Sequence, residues 1–593
     1  MSKGGRAGVS VFVAALTVIL SAVAVTDAGA RGPSPAGPRH RPEVVVEDAA
    51  RGLVYGGVRF SSPDGPCAGV RFEMRSNGHL VGCTHGPDAA PAGVDVRTPQ
   101  TLAELRLRTA PTPQGVRSTP CVGSGASQDR VQAIYAYVEG HTNRVNAVAP
   151  LIRTWAGQIS AMYNASAAET AGSIQVPFVT NSQCQVTVPA VAIPSSAAGA
   201  DFNATIKAIH DKGFHSVHRK YLVWLDVNVI CGIGQLIPDT TPGASNQNNQ
   251  TTANPFSVGM VARVDNGCWG LETTRGNPVE GHELTHTMGA VQSNAPHKTS
   301  NGHCTDEWDA MCYVDAGSTH LKFTCPSTHE ALLDCGHDDY FHTAPPAGSY
   351  LKTHWNTANN DFLVRNLAPS NDRFAAAEVL DPGPGAYVGS TRLAGVETGE
   401  KATLGVRSHS IWYRVKVPTA STLTVDTQGT AFDTVLGVYT GQAVGSLTLK
   451  GANDDAKAGR TYSRVTIQTA ANATYWIRVD GKGGKQGLVV LHTGFGGSSP
   501  VITSVSPLQG PPGTIITVKG TNLIVFSQSF TITIDGFFAS ITGSPTESQL
   551  KLKVPSSTID PSTAQYTPGQ SGPVEIDNGF GVGVSDQSFK FTQ

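Results

Sequence analysis

All ten cysteines of this 593-residue chain lie between residues 67 and 335, and residues 336–593 contain none. An even number of cysteines is typical of a chain whose thiols pair as disulfides in an oxidising compartment. Spacing favours local loops from Cys67 to Cys83 and from Cys325 to Cys335, and it leaves the other pairings open. The remainder of the chain must fold on hydrophobic cores alone. The sequence therefore predicts a disulfide-bonded part followed by a part without disulfides.

The first thirty residues have the pattern of an export signal. Lys3 and Arg6 precede an apolar run from Val9 to Val25, and Ala28-Gly29-Ala30 supplies a small-x-small cleavage site. An uncleaved membrane anchor is the alternative, but the run is short of the roughly 20 residues that a bilayer span needs. We predict a signal peptide over residues 1–30 and a secreted, extracellular protein with no membrane span after cleavage.

Composition excludes one class of partner. The chain has 43 Lys and Arg against 45 Asp and Glu, and its net charge of -2 provides no basic surface for nucleic acid. Charged residues make up 15% of the chain, and Gly (65) and Pro (37) are abundant. Such a composition indicates folded, loop-rich and β-rich domains. At this length we expect several domains and no nucleic-acid partner.

The hydrophobic pattern changes along the chain. Residues 31–115 mix short apolar stretches with Gly and Pro, which predicts an N-terminal β-rich region or a propeptide. Apolar residues then recur at helical spacing from Gln128 to Ala168, where Pro150 is expected to kink or divide the helix. A further helix is predicted over Asp201–Phe214.

Two nearly continuous apolar runs predict buried strands, over Tyr221–Ile230 and Val258–Val264. Residues 116–365 are thus expected to form an α/β domain. Beyond residue 365, short alternating runs separated by Gly, Asn and Asp predict two all-β sandwich domains, over 366–497 and 498–593.

The segment Gly281-His282-Glu283-Leu284-Thr285-His286 places two histidines one helical turn apart. On a helix both imidazoles face the same side and reach one cation, with the glutamate beside them. Zinc in a catalytic site takes three protein ligands and keeps one position for water, whose pKa falls to about 7. A neighbouring carboxylate takes the proton of that water as it attacks a carbonyl. The pattern predicts Zn²⁺ on His282 and His286 with Glu283 as general base; a chance pentapeptide on a surface helix is the alternative.

With its continuation, the motif resembles the metzincin metalloproteases. HELTHTMG ends at Gly289 as HExxHxxG does in that family, and Met311 matches the methionine of the Met-turn beneath the metal. The resemblance implies an α/β zincin domain over residues 116–365. It also implies that Tyr313, two residues after Met311, is a catalytic residue that steadies the oxyanion.

The third zinc ligand departs from the family pattern. Gln292 stands where metzincins place it, and a neutral amide oxygen is a poor zinc donor beside imidazole. His303 is the preferred ligand, because His303-Cys304 leading to Met311 resembles the archaemetzincin branch. Leishmanolysin-like members also have a longer stretch before this ligand. His297, Gln292 and Asp306 remain alternatives.

Two further possibilities concern metal ions. The acidic residues Asp306, Glu307 and Asp309, with Asp338 and Asp339, offer oxygen ligands of the kind that Ca²⁺ takes, and a solvated loop face is the alternative. Separately, Cys83 is a candidate for a free thiolate that caps the zinc in a latent form, although the even cysteine count favours a disulfide.

The C-terminal part resembles two known modules. Phe432-Asp433-Thr434-Val435-Leu436 and Asn453-Asp454-Asp455 are among several segments similar to the bacterial pre-peptidase C-terminal (PPC) domain. Val501-Ile502-Thr503-Ser504-Val505-Ser506-Pro507 and Gly510-Pro511-Pro512-Gly513-Thr514 are similar to the IPT/TIG domain. Both resemblances imply binding or spacing roles, with extracellular matrix or a cell-surface polymer as a candidate partner.

These features lead to one main hypothesis. The chain is expected to be a secreted zinc metalloendopeptidase that acts on proteins or peptides. The alternatives are a secreted binding or adhesion protein with a degenerate peptidase domain, and an esterase or other hydrolase that uses the same zinc. Retention of Glu283 favours the enzyme, because a structural zinc site needs no general base.

Overall fold

The structure is a computed structural model, and it describes residues 47–592 with gaps. The gaps are residues 63, 77–78, 92–93, 103, 106–118, 251–257, 272–278, 300, 307, 313–320, 323, 326, 381, 497–498, 525–529, 536, 556–563, 566–568, 570 and 579–581. The predicted signal peptide and Tyr313 therefore lie outside the described residues. Within the described part, the chain contains no helix with the length and apolar character of a membrane span.

A small antiparallel sheet lies near the start of the described chain, within the residues predicted to be β-rich. Its strands are β1 (Val58–Phe60), β2 (Phe72–Ser76) and β3 (His79–Thr84). Strand β2 is central and pairs with both neighbours. The disulfide between Cys67 and Cys83 ties the segment before β2 to β3.

The next part of the chain is built on a five-stranded mixed sheet. Its strands are β4 (Arg130–Val138), β6 (Ala190–Ile193), β7 (Arg219–Leu225), β8 (Gly232–Gly234) and β9 (Val261–Asp265). A short strand, β5 (Ile174–Gln175), lies outside this sheet. The order across the sheet is β6–β4–β7–β9–β8. Strands β6, β4, β7 and β9 run parallel, and β8 runs antiparallel at the edge.

The α-helices with defined bounds all belong to this part of the chain. They are α1 (Val145–Glu169), α2 (Phe202–Asp211), α3 (Val279–Thr287) and α4 (Tyr350–Thr353). Helix α2 confirms the helix predicted over residues 201–214, and Asp201 caps it by accepting a hydrogen bond from Ala204 N. Helix α1 is not divided at Pro150.

The prediction of one helical segment from Gln128 to Ala168 is wrong in its first part, because residues 130–138 form strand β4. This strand is central in the sheet, with strands on both sides and packing on both faces. It therefore carries apolar residues at almost every position. Val131, Ile134 and Tyr135 fall at helical spacing within it, so the pattern indicates a helix where a strand forms.

The hydrophobic core of this part lies on both faces of the sheet. One face packs on α1 and α3, where the rings of Trp155, Trp224 and Trp269 lie together. The other face packs on α2 through Phe202 and Ile209. Two short strands, β10 (Leu321–Lys322) and β11 (Val364–Arg365), follow; β11 pairs with β5.

The segment after β11 forms two facing β-sheets. The strands are β12 (Glu378–Leu380), β13 (Gly385–Ser390), β14 (Ile411–Val417), β15 (Thr422–Asp426), β16 (Thr434–Thr440), β17 (Thr448–Asn453), β18 (Arg464–Gln468), β19 (Ala473–Gly481) and β20 (Leu488–Phe495). One sheet has the order β12–β14–β19–β16–β17 and the other β13–β20–β15–β18. One hydrophobic core contains residues of both sheets.

The last domain is a second two-sheet sandwich. Its strands are β21 (Val501–Ser506), β22 (Gln509–Gly510), β23 (Ile515–Thr521), β24 (Thr531–Ile534), β25 (Phe537–Phe538), β26 (Ser540–Ile541), β27 (Gln549–Lys553), β28 (Ala564–Gln565), β29 (Ser571–Asp577) and β30 (Val582–Phe591). The sheet orders are β21–β23–β27–β26 and β22–β30–β29–β24–β25. The described chain is therefore β-rich and multidomain.

Both β domains pack on the mixed-sheet part. Strand β13 lies against α1. Trp308 is buried in the hydrophobic core of the last domain, where its ring centroid is 6.3 Å from that of Phe537. Strand β10 also pairs with β28 of that domain. Residues of the mixed-sheet part therefore belong to the hydrophobic core of the last domain.

Candidate metal centre

Helix α3 carries the two histidines predicted as ligands, and hydrogen bonds hold it at both ends. At its start Glu280 accepts hydrogen bonds from Trp224 Nε1 and Gly270 N, each at 2.9 Å. At its end the buried Lys220 Nζ donates to Thr287 O at 2.7 Å. Because Trp224 and Lys220 lie on strand β7, the helix is fixed against the centre of the sheet.

Glycines in edge strand β8 allow α3 to approach closely. A Cβ on Gly232 would stand 2.0 Å from Glu283 Oε1, and a Cβ on Gly234 would stand 2.7 Å from Glu283 O. No side chain fits at either position without a shift of the neighbouring group. The edge strand therefore lies directly beside the glutamate of the motif.

Three imidazoles converge at one point. His282 Nε2 lies 3.0 Å from His286 Nε2 and 3.3 Å from His303 Nε2. All three side chains are buried. The structure thus brings together the three residues that the sequence predicts as metal ligands.

Backbone contacts on the far side of two rings set their orientation. His282 Nδ1 lies 2.6 Å from Ala310 O, and His286 Nδ1 lies 2.8 Å from Ala290 O. A carbonyl only accepts, so each Nδ1 donates, and each Nε2 faces the centre, where it can bind a metal ion. Nitrogens bound to one tetrahedral zinc at about 2.0 to 2.1 Å stand about 3.4 Å apart, so the spacing fits zinc.

The loop that delivers His303 is held by local bonds. Thr299 Oγ1 accepts from His303 N at 3.2 Å, and Thr299 N donates to His303 O at 2.7 Å. The disulfide between Cys304 and Cys312 follows directly. Met311, predicted as the Met-turn residue, is fully buried and follows the carbonyl that accepts from His282.

An N-terminal segment enters the same centre, which the sequence analysis did not predict. Asp88 Oδ2 lies 2.9 Å from His282 Nε2, and Asp88 Oδ1 lies 3.5 Å from His303 Nε2. The ring of His85 stacks on that of His286 at 3.8 Å between centroids. The only sequence signal is a pair of ligand-type residues three positions apart. A carboxylate thus lies where a fourth ligand would bind.

This segment runs along edge strand β8. Thr84 pairs with Gln235 and Asp88 with Gly232, both antiparallel. Asp88 N donates to Gly232 O at 3.0 Å, and Thr84 Oγ1 donates to Gly234 O at 2.7 Å. Residues 84–88 therefore cover the strand edge beside the three imidazoles.

Burial and neighbouring charges shift the acid–base behaviour of the centre. Burial and the carboxylate of Asp88 raise the pKa of Glu283 well above its usual value. Burial alone would raise the pKa of Asp88, but the imidazoles of His85, His303 and His282 together hold it well below its usual range. Burial and the other rings lower the pKa of His286, which favours the neutral form that binds metal.

The other predicted candidates lie elsewhere. Gln292 Nε2 donates to Ile237 O at 3.1 Å and to Gly289 O at 2.9 Å, so it fixes the turn after α3. His297 and Asp306 belong to a separate cluster. Tyr313 and Glu307 lie outside the described residues.

The structure also decides the role of the cysteines. All ten form five disulfides, which confirms the pairs Cys67–Cys83 and Cys325–Cys335. The alternative of a free Cys83 that caps the metal is wrong, because its sulfur is bonded to Cys67.

Three solved structures are similar to parts of the chain. The pre-peptidase C-terminal domain of collagenase from Bacillus anthracis is 10% identical over 18% of this chain and 88% of that chain, with a TM-score of 0.13. The lysozyme inhibitor PliG of Aeromonas hydrophila is 18% identical over 19% of this chain and 86% of that chain, with a TM-score of 0.14. An auxiliary nutrient binding protein from Bacteroides ovatus is 20% identical over 16% of this chain, with a TM-score of 0.13. This chain covers 21% of the length of that protein.

Comparison with protein-family models identifies one domain of the chain. No curated protein matches this chain. The family model described as IPT/TIG domain matches residues 500–592, the range in which the structure has its last two-sheet sandwich. The C-terminal part of the chain is therefore an IPT/TIG domain.

Proposed function

We propose that the chain is a secreted zinc endopeptidase, and that its N-terminal segment covers the substrate cleft. The observation that carries the proposal is the convergence of His282, His286 and His303 beside Glu283. Zinc bound there would supply a water of lowered pKa and a Lewis acid for the peptide carbonyl. The three imidazoles would hold the metal.

The chain's own residues account for the remaining steps. Glu283 takes a proton from the attacking water and returns it to the leaving amine, and its raised pKa suits a group that must do both. Strand β8 has a free antiparallel edge once residues 84–88 are displaced, and a peptide substrate can add to that edge as a further strand. The glycines of β8 keep that edge close to Glu283.

Several features favour a metzincin type of catalytic domain. The zinc-binding motif lies on a helix packed under a mixed sheet whose antiparallel edge strand borders the centre. A buried Met311 follows the third histidine. The five disulfides favour an oxidising, extracellular location. We assign residues 366–497 to a PPC-type sandwich, which with the last domain would bind an extracellular polymer.

A closed, structural zinc site is the second candidate, and Asp88 is the observation that favours it. Three imidazoles and one carboxylate would complete four-coordinate zinc and leave no position for water. Against this, the carboxylate of Glu283 is fully buried, with Oε2 3.5 Å from His85 Nε2 and the carboxylate of Asp88 beside it. Burying a carboxylate costs roughly several kcal/mol, and a purely structural zinc site gains nothing from that cost. The enzyme is therefore the better interpretation.

Residues 47–105 include the stretch 84–88 that covers the edge of β8, and this covering segment can be released by one cut of the chain. All ten cysteines are paired, and the only disulfide in residues 47–105 joins Cys67 to Cys83 within that segment. Val96 and Leu105 are fully buried in the core that α1 and α3 share. We therefore expect the uncut chain to be nearly inactive and the segment to stay bound until it is displaced.

The test uses a full-length chain in which residues 109–114 are replaced by the recognition sequence of a site-specific protease. The chain is loaded with zinc and cut with that protease. The N-terminal segment is then separated from the rest of the chain in mild denaturant, and the remainder is refolded. Hydrolysis of a mixed peptide library is measured before and after these steps. We expect hydrolysis only after the cut. Zinc-loaded, cut protein that hydrolyses no peptide would support the closed site and overturn the proposal.

Two variants assign the roles. Glu283→Gln should keep the metal content and lose hydrolysis by about 10²- to 10⁴-fold, as removal of a general base does. His303→Ala should weaken metal binding as well as hydrolysis. The matched controls are Glu139→Gln and His218→Ala, whose side chains are 52% and 66% exposed and far from the motif in sequence. Full hydrolysis in Glu283→Gln would refute its role as the base.

A further inference from the structure

We propose that His297, Asp306, Asp338 and Asp339 form a second metal site, which binds a divalent transition-metal ion and fixes the loop that carries His303. Their ligand atoms all lie within 4.8 Å of one another. The site goes beyond the proposed function and stands whether or not the first centre is catalytic.

The four side chains come from two parts of the chain and meet around one ring nitrogen. His297 Nδ1 lies 3.1 Å from Asp306 Oδ2, 3.4 Å from Asp339 Oδ2 and 3.6 Å from Asp338 Oδ1. His297 and Asp306 flank His303 in sequence, whereas the two other aspartates follow the disulfide between Cys325 and Cys335. An ion here would join the two segments.

Unsatisfied atoms in the cluster point to a cation. Asp306 and Asp339 are only 7% and 3% exposed. Asp306 Oδ1, Asp338 Oδ1 and His297 Nδ1 have no hydrogen bond. Buried carboxylates without partners are costly unless they are paired or bind a metal. The buried Asp306 is therefore an independent sign of a ligand.

A simple ion pair between the imidazole and the acids explains less. Three carboxylate oxygens surround His297 Nδ1, yet none lies in line to accept a hydrogen bond from it. A protonated ring together with the nearby ammonium of Lys322 would still leave one of the three carboxylates uncompensated. A divalent cation in front of the ring nitrogen satisfies all four groups.

Ligand type and spacing select the class of ion. Ligands at about 2.0 to 2.2 Å from one ion stand about 2.8 to 3.6 Å apart for angles between 90° and tetrahedral, which brackets the three distances above. Calcium ligands at about 2.3 to 2.6 Å allow similar spacings, but calcium prefers oxygen to imidazole nitrogen, so the ring nitrogen of His297 decides against calcium. The cluster therefore fits Zn²⁺ or Mn²⁺ better than the calcium that the acidic residues alone indicate.

The expected effect of the ion is on the loop between α3 and the third histidine. Asp339 Oδ1 already accepts from His297 N at 2.7 Å, and Thr305 N donates to His297 O at 2.7 Å. Bound metal would fasten this loop on both sides of His303. The second site would thus position a ligand of the first.

The test separates the two sites by emptying the first. In the full-length double variant His282→Ala/His286→Ala, titration with Mn²⁺ or Zn²⁺ and metal analysis should find one equivalent per chain. Adding Asp306→Asn to that double variant should weaken the remaining site by at least about 100-fold, because losing a directly bound carboxylate should cost no less than the roughly 10- to 100-fold loss that follows removal of a residue that only supports a ligand. Asp211→Asn, an exposed acid paired with Lys207, is the control and should change nothing.

Two outcomes would overturn the proposal: no bound equivalent in the double variant, or an unchanged affinity after Asp306→Asn. Asp338→Asn provides a second arm, because that side chain is 43% exposed and its replacement should leave the fold intact. It should weaken binding as well, with an unchanged circular dichroism spectrum. Failure of the peptidase proposal would appear in the Glu283→Gln assay and leaves these measurements unaffected.

Discussion

Replacing Gly232 with alanine would test whether the edge strand must lie against Glu283. The new Cβ would stand 2.0 Å from Oε1 and 2.7 Å from the carboxyl carbon of Glu283. These atoms lie at the end of a flexible side chain, so the side chain can move while the helix stays in place. We therefore expect a large effect on hydrolysis and a small one on folding.

The size of the effect follows from the distance. Ordinary contact begins at about 3.4 Å, so the carboxylate must retreat by about 1.4 Å. A displacement of about 1 Å in a catalytic group costs about 100-fold in rate. We expect kcat/KM to fall by about that factor, which corresponds to about 2.7 kcal/mol of lost transition-state stabilisation. Metal content should be unchanged, because the three imidazoles are not displaced.

The assay compares kcat/KM, zinc content and the unfolding midpoint in the cut chain. Gly199→Ala is the matched control, because a Cβ there meets no atom within 4 Å. The control should match the parent in all three measurements. Full activity in Gly232→Ala would show that Glu283 can act from a shifted position, and the reasoning would fail. A loss of zinc together with activity would instead show that the substitution disturbs the ligands.

Two further predictions concern stability. His329 is buried with Nε2 2.8 Å from Glu169 Oε2; burial alone would lower its pKa, but Glu169 raises it above the usual value. The charged pair therefore stabilises the fold at pH values below the unfolded pKa of about 6.5 and loses that effect as pH rises through the folded value. His329→Gln should destabilise the chain in urea most at pH 5.5, and an equal effect at pH 8.5 would contradict this. Trp308→Ala should cost about 3 to 5 kcal/mol, because it leaves a cavity in the last domain's core, whereas Phe530→Ala, 42% exposed, should cost far less.

The sequence predicts those features that short patterns determine. The motif on α3 identifies His282 and His286 because helical geometry alone puts them on one face. The two β domains follow from period-two alternation, and strands such as β15 (Thr422–Asp426) lie within the range 366–497 predicted for the first sandwich. The sequence does not predict strand β4, because a strand buried on both faces lacks the alternation of apolar and polar residues.

Contacts between distant segments are harder to predict. Asp88 reaches the imidazoles only because residues 84–88 pair with β8, and no local pattern encodes that pairing. The second cluster likewise joins His297 to Asp338 and Asp339, which come after an intervening disulfide loop. The prediction of His303 depends on a family resemblance, since spacing alone leaves four candidate ligands open.

The burial of Trp308 in the core of the last domain has a consequence for the order of biosynthesis. A ribosome completes residues 303–312 long before it makes residues 500–592, which supply the rest of that core. Domains usually fold one after another as they emerge. Here the segment around Trp308, between His303 and Met311, has to wait for the final domain before it can be packed. The metal centre is therefore expected to mature late, after the C-terminal domain has folded, and a chain interrupted before that point should leave the loop of the third histidine unfinished.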